Sequence, residues 1–140
     1  MFTPIRTAIR NRLQTLTGVD RPLAFVYDIH TTKLDGYPSI TFEPSDMESD
    51  FATTTQNLRT YVFRIVIHQE TEKVGKSRAL EILSLAVDEV IKLFDNDITL
   101  GGAVDFLNAV PTAWGEYSEA VGQVKHAEII LRCNKIVSTI

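Results

Sequence analysis

Residues 58–69 read LRTYVFRIVIHQ, the clearest strand signal in the chain. Tyr61, Phe63, Ile65 and Ile67 alternate with Val62, Arg64, Val66 and His68, and a period of two puts these sets on opposite faces of extended backbone. The first face is wholly apolar and predicts a core surface. The second is half apolar and predicts that a helix or another subunit covers it. Immediately downstream the period changes. In residues 73–94 (KVGKSRALEILSLAVDEVIKLF) Leu80, Leu83, Val87, Val90, Ile91 and Phe94 make one helical stripe, broadened by Ala79, Ile82 and Ala86. Arg78, Glu81, Glu89 and Lys92 take the wet side, and Asp95-Asn96-Asp97 ends the helix in turn chemistry.

The remaining elements are read outward from this pair. Residues 4–17 predict a helix, with Thr3 as cap, Pro4 at the first helical position and Gly18 as the stop. Its apolar face is Ile5, Ala8, Ile9, Leu13 and Leu16, while Arg6 and Arg10 lie opposite and Arg12 at the edge. Residues 23–29 (LAFVYDI) and 37–43 (YPSITFE) predict strands. The second follows the turn signal Lys33-Leu34-Asp35-Gly36, and its Pro38 fits an edge strand or a strand start. Residues 44–57 (PSDMESDFATTTQN) are polar and acidic at Asp46, Glu48 and Asp50, and their length predicts a functional or mobile loop. Phe51 and the threonines leave a two-stranded arm open as the alternative. Residues 103–110 and 124–137 predict two further strands, joined by a polar loop that carries Trp114, Glu116, Tyr117 and Glu119. The order α-β-β-β-α-β-β predicts an α+β fold: a mostly antiparallel sheet of about five strands with two helices on one face.

The chain has 140 residues, which fits a single domain spanning 1–140. Hydrophobic residues make up 44% and charged residues 23%, so a packed core is expected without disulfides or metal. A formal net charge of −4 argues against a whole-surface nucleic-acid binder. The single cysteine, Cys133, fits a reducing compartment, and no apolar run approaches the roughly 20 residues of a membrane helix. The N-terminal residues lack the apolar centre of a signal peptide.

Motifs for catalysis or cofactors do not hold together. Gly75-Lys76-Ser77 follows a strand and opens a helix, as the end of a phosphate-binding loop does. That loop needs a glycine where Glu70 stands, and Glu70 and Glu72 would repel phosphates. Asp95, Asp97 and Thr99 have the spacing of a calcium loop, but Leu100 and Phe106 occupy its glycine and glutamate positions. His30, His68 and His126 lack neighbours at ligand spacing, although His68 and His126 can meet across adjacent strands. Cys133 lies among apolar residues and reads as a small buried hydrophobe, with a pairing to His126 as the reactive alternative. Trp114 beside Tyr117 is either tucked onto its own domain or an interface anchor. No catalytic, metal or cofactor residue is therefore assigned.

The segments DGYPSITFEPSDMESDF, NLRTYVFRIVIHQE, ALEILSLAVDEVIKLF and HAEIILRCNKIV, in this order after a short N-terminal helix, resemble the small tail terminator, or tail completion, proteins of tailed bacteriophages. The likeness extends over nearly the whole chain, and another phage neck, head-tail connector or minor tail protein, of similar architecture, is the alternative within the same class. The resemblance implies a non-enzymatic virion protein, assembled in the host cytoplasm. Its hexameric ring would cap the head-proximal end of the tail tube, stop tube growth and present the surface that joins the head connector. DNA would pass through the lumen without specific binding. The expected partners are the chain itself, the tube protein and the connector, with no membrane. Four arginines against Asp20 make residues 1–21 basic, and six acids against Lys33 make residues 22–57 acidic. Contacts between subunits or with the tube are accordingly expected at Arg6, Arg10, Arg12, Asp46, Glu48, Asp50, Phe51, Trp114 and Tyr117. A small ligand-binding α+β domain is the second reading.

Overall fold

A computed structural model describes residues 2–18, 20–28, 34, 36–53, 56–119 and 122–138, with Phe2, 46–53 and Glu119 as backbone only. The elements are α1 (Phe2–Gln14), β1 (Phe25–Tyr27), β2 (Ser39–Thr53), β3 (Gln56–Glu70), α2 (Lys76–Asp95), β4 (Phe106–Glu119) and β5 (Gly122–Ser138), with a 3-10 turn at Leu100–Gly102. They form the expected α+β fold. Five strands make one sheet in the order β1-β2-β3-β5-β4, and every pairing is antiparallel except the short β1–β2 pair. His30, Lys33 and Asp35 lie outside the described residues.

The alternation in β3 sets the layers. Tyr61, Phe63, Ile65 and Ile67 are buried against Ile5, Ile9 and Leu13 of α1 and Leu83, Ala86, Val87, Val90 and Phe94 of α2, so both helices share one face, the inner face. Each such aliphatic or aromatic side chain contributes roughly 1.5–3 kcal/mol when fully buried. Ser39 starts β2 directly after Pro38, as expected of a proline at a strand start. Gly75 (φ 84°) stands just before α2, a backbone conformation that glycine adopts without strain.

Four expectations are corrected. The stretch 44–57 is not a loop: β2 continues to Thr53 and pairs with β3 from Asp46↔Val62 to Thr53↔Gln56, past a bulge between Pro44 and Asp46. The ladder there is held by main-chain hydrogen bonds, which acidic side chains do not prevent. The segment after Val110 is not a loop either, because β4 runs through Trp114 and Tyr117 to Glu119 and pairs with β5 throughout. Pro111 fits because β4 is an edge strand, and the bulge between Pro111 and Ala113 absorbs the irregularity. Leu80 does not join the buried stripe; it is 47% exposed at the flank of α2. Finally, Val62 and Val66 on the outer face are buried within the single chain although neither helix lies on that side, so they require no covering subunit. A smaller difference is that α1 begins at Phe2, which places Thr3 inside the first turn instead of at the cap.

Cys133 lies on the inner face of β5, opposite Tyr61 and Leu107, and is fully buried. Desolvation pushes its thiol up to about 12, so the thiolate is scarce at neutral pH. His126 has the other parity on the same strand, seven positions away, and the two cannot form a nucleophile pair. Thiol-reactive dye should leave Cys133 unlabelled in the native protein and label it stoichiometrically in denaturant. Rapid native labelling would mean that this part of the core is open.

Candidate functional site

The sites expected from sequence are placed in three separate regions. Around α1, Arg6 and Arg10 both reach Asp28, at 3.1 and 3.7 Å, and Arg6 also donates to the Asp28 carbonyl. With Thr3 and Thr7 they line a hollow of about 140 Å³. Arg12 is separate: its Nε donates to Asp97 Oδ2 at 2.5 Å, tying the end of α1 to the turn after α2. That hydrogen bond holds the Asp97 carboxyl below its ordinary value, helped by the Gly101 N–H. A depressed carboxylate stabilises the fold above its unfolded pKa and loses that contribution as pH falls through the folded one. The basic cluster is therefore matched by acids of its own chain, and any contact with a neighbour there competes with Asp28.

The second region is a ribbon. Beyond Thr60, β3 leaves the buried core, yet β2, β3 and β5 remain paired to Thr53, Gln56 and Ser138. β4 ends its pairing at Phe106↔Asn134, so only three strands continue, for roughly 15 Å at about 3.4 Å per residue. Glu48, Asp50 and Phe51 fall in this part of β2, in register with Thr60, Leu58 and Asn57, while Asp46 sits two rungs before Glu48, opposite the buried Val62 where β4 still pairs. The side chains of these four β2 residues lie outside the description. Arg59 and Lys135 stand directly opposite each other in the ribbon, a pairing of like charges that costs stability in isolation.

The third region spans β4 and β5, and it separates Trp114 from Tyr117. Trp114 is 52% exposed and lines a groove of about 250 Å³ with Leu80, Leu83, Gly115, Glu116, Lys125 and His126. That volume is below the roughly 300–1,000 Å³ of ordinary small-ligand pockets. Tyr117 belongs to the outer face. Its hydroxyl lies 2.8 Å from His68 Nδ1, while His68 Nε2 lies 2.9 Å from Thr41 Oγ1. A neutral imidazole has one donor and one acceptor nitrogen, and two hydroxyls satisfy either tautomer. His126 pairs in register with His68, and its ring lies tilted beside that of Tyr117, with centroids 5.8 Å apart. Gly115 makes room for it: a Cβ there would fall 2.6 Å from His126 Cε1.

This array escaped the sequence reading because Thr41, His68 and Tyr117 are far apart in the chain. Only the strand register brings them together. A second polar rung runs alongside, in which Arg64 Nε donates to Glu128 at 2.6 Å and Arg64 also approaches Glu43 at 4.0 Å. These rungs cross-link the face that carries no helix. His68 is 1% exposed and both ring nitrogens are engaged, so it has no route to the proton of a substrate.

The helix start at Gly75-Lys76-Ser77 carries no side-chain cap, and Glu70 accepts from the Lys73 N–H where a phosphate would have to sit. Among the described residues no group of three or more His, Cys, Asp or Glu is placed to hold a metal ion, and no helix is long and apolar enough to cross a membrane. No protein-family model matches the chain, and no curated protein matches it significantly.

Proposed function

We propose that this protein is a phage tail terminator: a ring-forming virion protein that caps the head-proximal end of a tail tube and offers the head connector its docking surface. The whole-chain resemblance motivates the reading. The observation that carries it is the three-stranded ribbon, in which β2, β3 and β5 stay paired past the end of β4 while Asn57, Leu58 and Arg59 of β3 are only half-buried and Gln56 is exposed. An extension of this kind puts a paired surface within reach of a neighbour. The small volume of the Trp114 groove and the inaccessibility of His68 count against the ligand-binding alternative.

A ring whose subunits all point the same way has two unlike faces, which is what a part placed between tube and connector requires. The acidic run of β2 would keep DNA phosphates from adhering during passage. Shortening the ribbon tests the reading. Replacing residues 50–58 with Asn-Gly joins the paired residues Ser49 and Arg59 by a two-residue turn. The expected result is an unfolding free energy within about 1 kcal/mol of wild type, because the described side chains removed are exposed at Gln56 and only half-buried at Asn57 and Leu58. Tube capping should nevertheless be lost. Normal capping by the shortened protein would dismiss the ribbon from this role.

A further inference from the structure

β4 is a fourteen-residue strand at the edge of the sheet, and its outer side has no strand partner among the described residues. Natural sheet edges are guarded by charge, proline or a bulge, because an unpaired row of N–H and C=O groups invites another strand; in β4 Pro111 and the bulge after it guard the second half and leave Phe106 to Val110 open. From Phe106 to Gly115 this edge carries no charged residue. Phe106 and Val110, in register with Asn134 and Ile130 on the outer face, are 46% and 39% exposed. Asn108 stands midway between them. The flanking acid, Asp105, is turned back into its own sheet, with its carboxylate accepting from the Ile136 N–H at 2.6 Å. The apolar pattern is therefore symmetric about Asn108.

We propose that this edge binds a second copy of the same chain, β4 against β4, antiparallel about a two-fold axis through Asn108. In that alignment Phe106 lies opposite Val110 of the second copy, and Val110 opposite its Phe106. Aromatic and β-branched residues are favourable cross-strand partners. Leu107 and Ala109 are likewise opposite each other, and Asn108 meets itself. A two-fold contact requires a self-complementary surface, and this segment meets that requirement without placing like charges together. Pro111 and the bulge that follows it end the pairing, so the contact is short and reversible. Two joined sheets make one of ten strands. The inference stands on β4 and is independent of the tail reading. Copies related by this axis point in opposite directions, so the pair is not a segment of a ring.

Sedimentation velocity over a concentration series tests it. Wild type should reach the mass of a dimer. Val110→Lys should weaken dimerisation roughly tenfold or more, since the two-fold axis places the change in the interface twice. Phe106→Glu should do the same, which keeps the test open should Val110→Lys fail to fold. Combining Phe106→Glu with Val110→Lys places opposite charges across the axis. Dimers should return and should now weaken with added salt. The proposal is overturned by a wild type that stays monomeric, by an oligomer that Val110→Lys leaves intact, or by a double variant that does not recover. A wild-type ring insensitive to both changes would overturn the β4 pairing and leave the tail reading standing.

Discussion

Leu83→Ala should lower the unfolding free energy by about 2–5 kcal/mol in urea titrations, whereas Leu80→Ala, three residues earlier in α2, should cost less than about 1 kcal/mol. Leu83 is fully buried between α2 and the sheet, in contact with the cluster that joins both helices to β3. Its removal loses the transfer free energy of the side chain and leaves a cavity that helix and strands cannot close without distortion. Leu80 is 47% exposed beside Trp114, so truncation there opens no enclosed space. Equal losses at the two positions would mean that α2 is rotated from the orientation described here.

His68→Ala should cost a comparable amount, about 2–4 kcal/mol, through polar interactions as well as volume. The imidazole is buried on the face without a helix, where it spans from Thr41 on β2 to Tyr117 on β4. Its loss removes both hydrogen bonds and leaves a void between strands. Tyr117→Phe removes one of the two bonds and keeps the ring, so about 0.5–1.5 kcal/mol is expected. The ratio between the two variants, read from thermal or urea unfolding, separates a cross-strand rung from a merely packed histidine. A His68→Ala protein as stable as wild type would show that the rung contributes nothing.

Where burial is periodic, the fold was legible from residues. Tyr61, Phe63, Ile65 and Ile67 announce a strand with a core face, and Leu83, Val87, Val90 and Phe94 announce a helix, because side-chain period is backbone period projected onto the core. The same logic fails where a strand carries no apolar alternation. Asp46, Glu48 and Asp50 stand in the β2–β3 ladder, and only the strand propensity of Phe51 and the threonines, which left a two-stranded arm as the alternative, hinted at it. Pro111 and Gly115 look like loop punctuation. They are tolerated because β4 lies at the sheet edge and because the His126 ring needs the space over Gly115. Leu80 shows the complementary limit: a stripe gives the angular position on a helix but not where the sheet beneath it ends.

The candidate sites were less legible than the fold. Arg6, Arg10 and Arg12 are visible as a cluster, but their acids, Asp28 and Asp97, are assigned only by folding. Trp114 and Tyr117 are three residues apart, and the strand sends them to different faces, one into a groove and one to an imidazole. Thr41, His68 and Tyr117 carry no local signature at all.

The central claim is that this chain stops tail-tube growth, and tail length measures that directly. Tails assembled in cells unable to make the chain should be overlong and headless in electron micrographs, and supplying the protein should restore a single normal length joined to heads. Tails of normal length, joined to heads in its absence, would contradict the account.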